Sequence, residues 1–259
     1  MLQQEIAVEK ICSSLKENQL VKAIFLKGSM GRDEHDEFSD IDLYCLVEQK
    51  DEETFLEERL EHLKAYRDII FYDDIHIIAP QIIAVFDNLL HIDLFTVTKE
   101  SFTQKDYFKS LHDPNNLLDE FVETQSLEIS ESELNDDITD VAWFLFQYNK
   151  AVERGNDIWA VRMLTNVMQH LGKVLLFKYS PNRAQLGLKT LHRSLPNAVL
   201  NEVEGIFEQI TPMHHQKASK KIRQLVSSEL DWILSHASER SRIEVLLKEA
   251  IKCRYRDEN

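Results

Sequence analysis

Two carboxylates separated by a single residue, Asp40 and Asp42, stand in the run Ser39-Asp40-Ile41-Asp42-Leu43. A small-residue turn, Gly28-Ser29-Met30-Gly31-Arg32, precedes them, and a third acid, Asp93, follows in Leu90-His91-Ile92-Asp93-Leu94. Side chains alternate faces along a strand, so Asp40 and Asp42 point the same way and can share a divalent cation. That is the apparatus of metal-assisted phosphoryl chemistry. Phosphate oxygens and carboxylates repel each other unless a cation bridges them, and Mg²⁺ prefers a few carboxylates together with substrate phosphates. A pair of such ions can stabilise both the attacking and the leaving oxygen of an in-line displacement. Gly28 lets backbone approach a phosphate, which the Ser29 hydroxyl and successive N–H groups can cradle. Arg32 is a further phosphate candidate. No Gly-Lys-Ser/Thr closes the turn, and the P-loop reading fails on that ground.

These residues need strands to hold them, and the apolar runs supply them. Val21 to Leu26 ends in the glycine turn and Ile41 to Val47 carries the Asp-x-Asp pair, so both read as buried strands. Asp51 to Arg67 has apolar residues near helical spacing. Three more strands are expected: Ile69 to Tyr72, with a continuation toward Ile78, then Ile82 to Phe86, and Leu90 to Val97, the last two joined by an Asp87-Asn88 turn. From about Asn135 the pattern changes. Ile138, Val141, Leu145, Tyr148 and Val152 repeat at 3-4 spacing, as do Val161, Leu164, Met168, Leu171 and Leu175, which predicts a helical hairpin with Asp157 as the cap of its second arm. Proline-broken helices follow to Ile251.

In this order and on these elements, Gly-Ser, Asp-x-Asp and a distal strand Asp resemble the polymerase beta-like nucleotidyltransferase superfamily. The short motif-bearing half followed by a helical half looks like the bacterial aminoglycoside and lincosamide nucleotidyltransferases of antibiotic resistance. The resemblance implies an α+β fold: a nucleotidyltransferase catalytic domain over residues 1–130, with a mixed β-sheet flanked by helices, and an α-helical bundle domain over 131–259 that helps bind substrate and nucleotide. It implies transfer of AMP from ATP, or of another nucleoside monophosphate, to a small-molecule hydroxyl with release of pyrophosphate. Asp40 and Asp42 would hold Mg²⁺ on the triphosphate, and Asp93 would hold a second ion or accept the hydroxyl proton. Gly28, Ser29 and Arg32 would meet phosphate. Lys173, beside Gly172 in the second long helix, is a candidate for the helical-domain lysine that meets the triphosphate in related enzymes, with Lys150 and Arg154 competing for that role. The acceptor is expected between the two domains. Two other readings stay open: an antitoxin-type enzyme that modifies a protein, and a non-catalytic scaffold of the same fold.

Charge narrows the partners. Residues 1–130 hold 28 Asp and Glu against 12 Lys and Arg, a net −16, whereas residues 131–259 hold 17 against 18, a net +1. So acidic a half repels a nucleic-acid backbone, whose binding relies on Lys and Arg, and attracts a polycation. An aminoglycoside-like acceptor is favoured accordingly, with no nucleic-acid partner. Cys12, Cys45 and Cys253 are odd in number and widely spaced, which argues against a disulfide framework. No apolar run is long enough to span a membrane. A cytoplasmic protein is expected, with a homodimer possible through apolar positions in the late helices. Asp33-Glu34-His35-Asp36-Glu37 reads as a solvated, flexible charge run; Asp73, Asp74 and His76 as a turn or edge; His214-His215 as structural; and Cys45 as core.

Overall fold

The computed structural model describes residues 1–102, 106–237 and 240–252, with no side-chain description at 240 and 241. Cys253 lies outside the described residues. The chain divides into two compact units, Met1–Ser126 and Leu127–Asn259.

The first unit runs α1 (Gln3–Lys16), β1 (Val21–Leu26), the one-turn helix α2 (Gly28–Gly31), β2 (Ile41–Val47), α3 (Glu52–Lys64), β3 (Ile69–His76), β4 (Pro80–Phe86), β5 (His91–Val97) and β6 (Lys109–His112). The six strands form one sheet in the order β3-β4-β5-β2-β1-β6, in which only β2 and β5 run parallel. This is the mixed sheet expected of an α+β fold. Alternation along the strands separates two faces. Ile24, Leu26, Ile41, Leu43, Cys45, Ile92 and Leu94 point one way, into a core closed by α1 and α3. Phe25, Tyr44, Phe95 and Val97 point the other way, into a smaller aromatic cluster with Phe102 and Leu118. Asp42 and Asp93 belong to this second face, because each precedes by two residues a member of the aromatic cluster on its own strand.

Several elements depart from the sequence reading. The helix α1 was not anticipated, although its buried Gln4, Ala7, Val8, Ile11, Cys12 and Leu15 repeat at helical spacing. The four-residue strand β6 was not anticipated either; it is too short to show a period. The region around Asp51 opens as a 3₁₀ turn, and α3 proper ends at Lys64. The acidic loop before Asp40 is not a free charge run. Gln4, fully buried, directs its amide nitrogen at the carbonyls of Asp36, Glu37 and Ser39 at 2.9–3.1 Å, and the Asp36 carboxylate accepts from the N–H of Phe38. A neutral side chain of the first helix thereby fixes the segment that joins the two halves of the motif.

The second unit runs α4 (Glu131–Glu153), α5 (Asp157–Tyr179), a 3₁₀ segment (Pro181–Thr190), α6 (Leu191–Ser194), α7 (Asn197–Phe207), α8 (His215–Ser228), α9 (Leu230–His236) and α10 (Arg240–Ile251). Ser130 caps α4 in a capping box with Glu133. The cap of α5 is Asn156, whose side chain accepts from the Trp159 N–H at 3.0 Å, so Asp157 is the first helical residue and not the cap. Two buried polar knots tie the bundle. His215 meets the Tyr148 hydroxyl at 3.0 Å and Asp157 at 3.2 Å, in keeping with a structural role, while Arg223 donates to Asn149 and to the Ala250 carbonyl, anchoring the last helix. Cys12 and Cys45 are free buried thiols in the first unit; burial pushes Cys12 up to about 12 and Cys45 well above its ordinary value. Among the described residues, no helix is long and apolar enough to cross a membrane.

The Gln4 anchor is testable. Gln4→Ala removes the donor shared by the Asp36, Glu37 and Ser39 carbonyls, and a hydrogen bond of this kind contributes about 0.5–1.5 kcal/mol. Urea unfolding is expected to show a loss of that order, with amide exchange accelerating across residues 36–39; exchange unchanged there would mean the loop holds itself.

Candidate functional site

The parallel register sets the site. Asp42 lies opposite Asp93, and Ile41 opposite Ile92, so the first acid of the motif, Asp40, falls beside His91. Asp40 stands one residue before β2 rather than on it, yet it keeps the two-residue offset from Asp42 that places both on one face. A ligand atom from each of Asp40, His91 and Asp93 lies within 4.8 Å of the others. The imidazole sits between the two acids: its Nε2 is 3.1 Å from Asp93 Oδ1 and its Nδ1 is 3.9 Å from Asp40 Oδ2. This three-residue group contains a histidine to which sequence spacing assigned no role. Its signal was available, since His91 alternates onto the same face as Asp93.

Burial grades across this group. Asp93 is 14 % exposed, His91 37 % and Asp40 51 %. The hydrogen bond to Asp93 is the main cause that raises the His91 pKa above its ordinary value; partial burial opposes it, and the negative charges of Asp93, Asp40 and Asp42 add to it.

Asp42 is positioned by the glycine turn. Gly28 adopts φ +61°, and a Cβ added there would lie 1.9 Å from Asp42 Oδ2 and 3.0 Å from its Cγ. The turn is thus built without a side chain because the carboxylate already fills that space. The Lys27 N–H donates to the Asp42 carbonyl at 3.0 Å, locking turn to strand. Gly28 to Gly31 winds into one helical turn with Ser29 inside it, and the first N–H groups of such a turn have no partner within the helix.

Below the acids lies an aromatic floor. Tyr44 stacks on Phe95 with centroids 4.3 Å apart and on Phe25 at 5.1 Å. Burial, followed by the charges of Asp42, Asp106 and Asp93, pushes the Tyr44 hydroxyl far above its ordinary pKa, so it stays protonated. Lys27 lies over this floor, with Nζ 5.3 Å from the Tyr44 ring and 5.5 Å from that of Phe102. Burial lowers its pKa, against the charges of Asp106 and Asp42 that hold it up. Lys27 is the second residue that spacing missed, although it directly precedes Gly28.

The remaining candidates have these partners. Arg32 donates from Nη1 to both oxygens of Asp106 at 2.8 and 2.7 Å and from Nε to Glu34 at 3.1 Å, so its guanidinium braces the turn. Lys173, in the second unit, has its Nζ 3.5 Å from Asp137 Oδ1, and Lys150 lies over the Phe146 ring at 4.8 Å.

The family model described as Polymerase beta, Nucleotidyltransferase matches residues 9–86, and the N-terminal unit is a nucleotidyltransferase domain of that type. No curated protein matches the sequence. Among solved structures, the chain is similar to an aminoglycoside 6-adenyltransferase from Bacillus subtilis, at 13 % identity and TM-score 0.39, covering 98 % of this chain and 99 % of that one. A nucleotidyltransferase-like protein from Exiguobacterium sibiricum 255-15 is 11 % identical at TM-score 0.39, covering 94 % and 87 %.

Two measurements check the geometry. Gly28→Ala adds a methyl where Asp42 Oδ2 lies, on a backbone that disfavours side chains, so the carboxylate must move; displacements near 1 Å cost about 100-fold in rate. Any activity assay of the chain should show a loss of that order, and an unchanged rate would mean Asp42 is not held by the turn. An NMR titration of His91 is expected to give a midpoint above 6.5, falling toward it in Asp93→Asn. A raised folded-state pKa means the protonated pair stabilises the fold below pH 6.5 and ceases to do so as pH rises through the raised value.

Proposed function

We propose that the chain transfers a nucleoside monophosphate, AMP from ATP, to a hydroxyl of a small cationic acceptor of the aminoglycoside class, with release of pyrophosphate. One observation carries this reading: the parallel pairing that sets Asp42 beside Asp93, with Gly28 packed against the Asp42 carboxylate. Nothing in folding demands that carboxylates converge, and their repulsion disfavours the apo fold. The donor set fits a divalent cation, since Asp40, His91 and Asp93 bring ligand atoms within 4.8 Å of one another and Asp42 adjoins Asp93. When bound there, such a cation neutralises triphosphate oxygens and orients the α-phosphorus for in-line attack.

The protein's own groups do the rest. Asp93, the least exposed acid of the three-residue group, takes the proton of the attacking hydroxyl. As the hydroxyl oxygen bonds to the α-phosphorus, the bond from that phosphorus to the bridging oxygen breaks, and pyrophosphate departs with the electron pair. The N–H groups of the α2 turn and the Ser29 hydroxyl hold phosphate oxygens, while Gly28 leaves room for the Asp42 carboxylate beside them. Lys27 supplies positive charge beside Asp42 in a unit that is otherwise strongly acidic. Most of the acceleration comes from alignment and preorganised charge. Acceptor class follows from the same electrostatics: 28 acids against 12 bases over residues 1–130 draw in a polycation and repel nucleic acid.

The test pairs ATP and a divalent cation with a panel of aminoglycosides, lincosamides and candidate proteins, read by mass spectrometry for an added AMP. Adenylylated aminoglycoside, with binding that weakens as salt rises, supports the reading. Modification of a lincosamide alone removes the charge argument, and labelling of protein alone removes the small-molecule reading. Asp42→Asn should lower turnover about 100-fold or more while the melting temperature holds or rises slightly, because one repelling charge is gone. Undiminished turnover in that variant overturns the assignment of Asp42.

A further inference from the structure

Two acids in the site share an unusual partner. Among the described residues, Asp40 and Asp93 form no ion pair with a lysine or arginine; both face the ring nitrogens of His91, 3.9 Å from one and 3.1 Å from the other. Among the described residues, a second histidine set between two acids is arranged differently. His170 meets Asp137 at 2.7 Å and Asp140 at 3.6 Å, but Lys173 already stands on Asp137 at 3.5 Å. That cluster carries its own permanent cation. The group at Asp40 does not, and it is open to solvent, with Asp40 about half exposed.

Two carboxylates and an imidazole that converge without a permanent cation offer two hard oxygens and one nitrogen. Mg²⁺ takes oxygen ligands in a demanding octahedral shell and gains little from a nitrogen. Imidazole instead suits first-row transition ions, whose affinity for a nitrogen-bearing site rises from Mn²⁺ onward. The three ligands come from the residue that leads into β2 and from β5, neighbouring strands whose other faces are fully buried, so the site rests on rigid elements. We propose that Asp40, His91 and Asp93 form a mixed imidazole–carboxylate metal position that takes a first-row transition dication in preference to Mg²⁺, with His91 as a direct ligand.

This deepens the reading of the site as metal-dependent, but its test needs neither nucleotide nor turnover. Full-length protein freed of metal is titrated with MnCl₂ and followed by electron paramagnetic resonance, with pulsed measurements for coupling of Mn²⁺ to a ¹⁴N nucleus. Wild type is expected to bind Mn²⁺ with nitrogen coupling, and Mg²⁺ to displace it only at about tenfold or greater excess. His91→Ala should lose the coupling and bind Mn²⁺ about tenfold more weakly, with circular dichroism unchanged. His91→Gln, which offers an oxygen in place of the nitrogen, should lose the coupling and narrow the preference over Mg²⁺. Mn²⁺ bound by wild type without nitrogen coupling, or Mg²⁺ and Mn²⁺ competing equally in wild type, overturns the proposal. The two readings fail separately: nitrogen-coupled Mn²⁺ without AMP transfer leaves this site standing and removes the transferase, whereas AMP transfer with no nitrogen coupling does the reverse.

Discussion

Parallel pairing of β2 with β5 brings Asp42 and Asp93 side by side on one face of the sheet. Two like charges about 4 Å apart near a protein surface repel by about 4 kcal/mol. The pairing persists because the opposite face pulls harder. Ile41, Leu43, Ile92 and Leu94 are fully buried in the core under α1 and α3, and each such aliphatic side chain contributes about 1.5–3 kcal/mol. Register is therefore decided on the face away from the chemistry. A slip by one residue would turn the aliphatic row out of its core toward the aromatic face and the acids into the core, so the hydrophobic core holds the carboxylates in a conjunction they would not choose.

What relieves that conjunction is local and graded. Lys27 lies over the rings of Tyr44 and Phe102, near enough to Asp42 and Asp106 for their charges to support its own. His91 bridges Asp93 and Asp40. Tyr44 stays protonated beneath them. Each of these groups is weaker or more removable than an arginine fixed directly on the acids. The one arginine of the turn, Arg32, is instead spent on Asp106 and Glu34. The acids are thus stabilised enough to fold and left short of full neutralisation, which is the condition for binding an external cation.

Much of this was legible in the sequence, and the limits were physical. Asp40, Asp42 and Asp93 stood out because strand alternation has a fixed period of two, and the runs around them were unbroken. His91 obeyed the same alternation, but a histidine at an exposed strand end is usually inert, so type and spacing alone do not distinguish it. Lys27 carries no periodic signal; its place follows from the aromatic floor, which is assembled from β1, β2, β5 and Phe102. The loop between turn and strand read as mobile because it is acidic, whereas Gln4, more than thirty residues upstream, fixes it through its own amide. Arg32 pairs with Asp106, far along the chain, and nothing in the local sequence signals that partner. Long-range polar contacts of this sort leave no trace in local pattern.

The order of the strands also dictates when the acids can meet. Asp42 and Asp93 are 51 positions apart in the chain, and between them lie α3 and the antiparallel pair β3 and β4. The β3–β4 ladder links neighbours in sequence and closes only a short loop. Joining β2 to β5 must enclose everything between, and the entropy of so large a closure is recovered only once the central sheet has formed. The repelling pair is thereby a late arrival on the folding path. A nascent chain gathers its hairpin and helices before Asp93 reaches Asp42, and the electrostatic cost of that pair falls after the aliphatic face has begun to offset it.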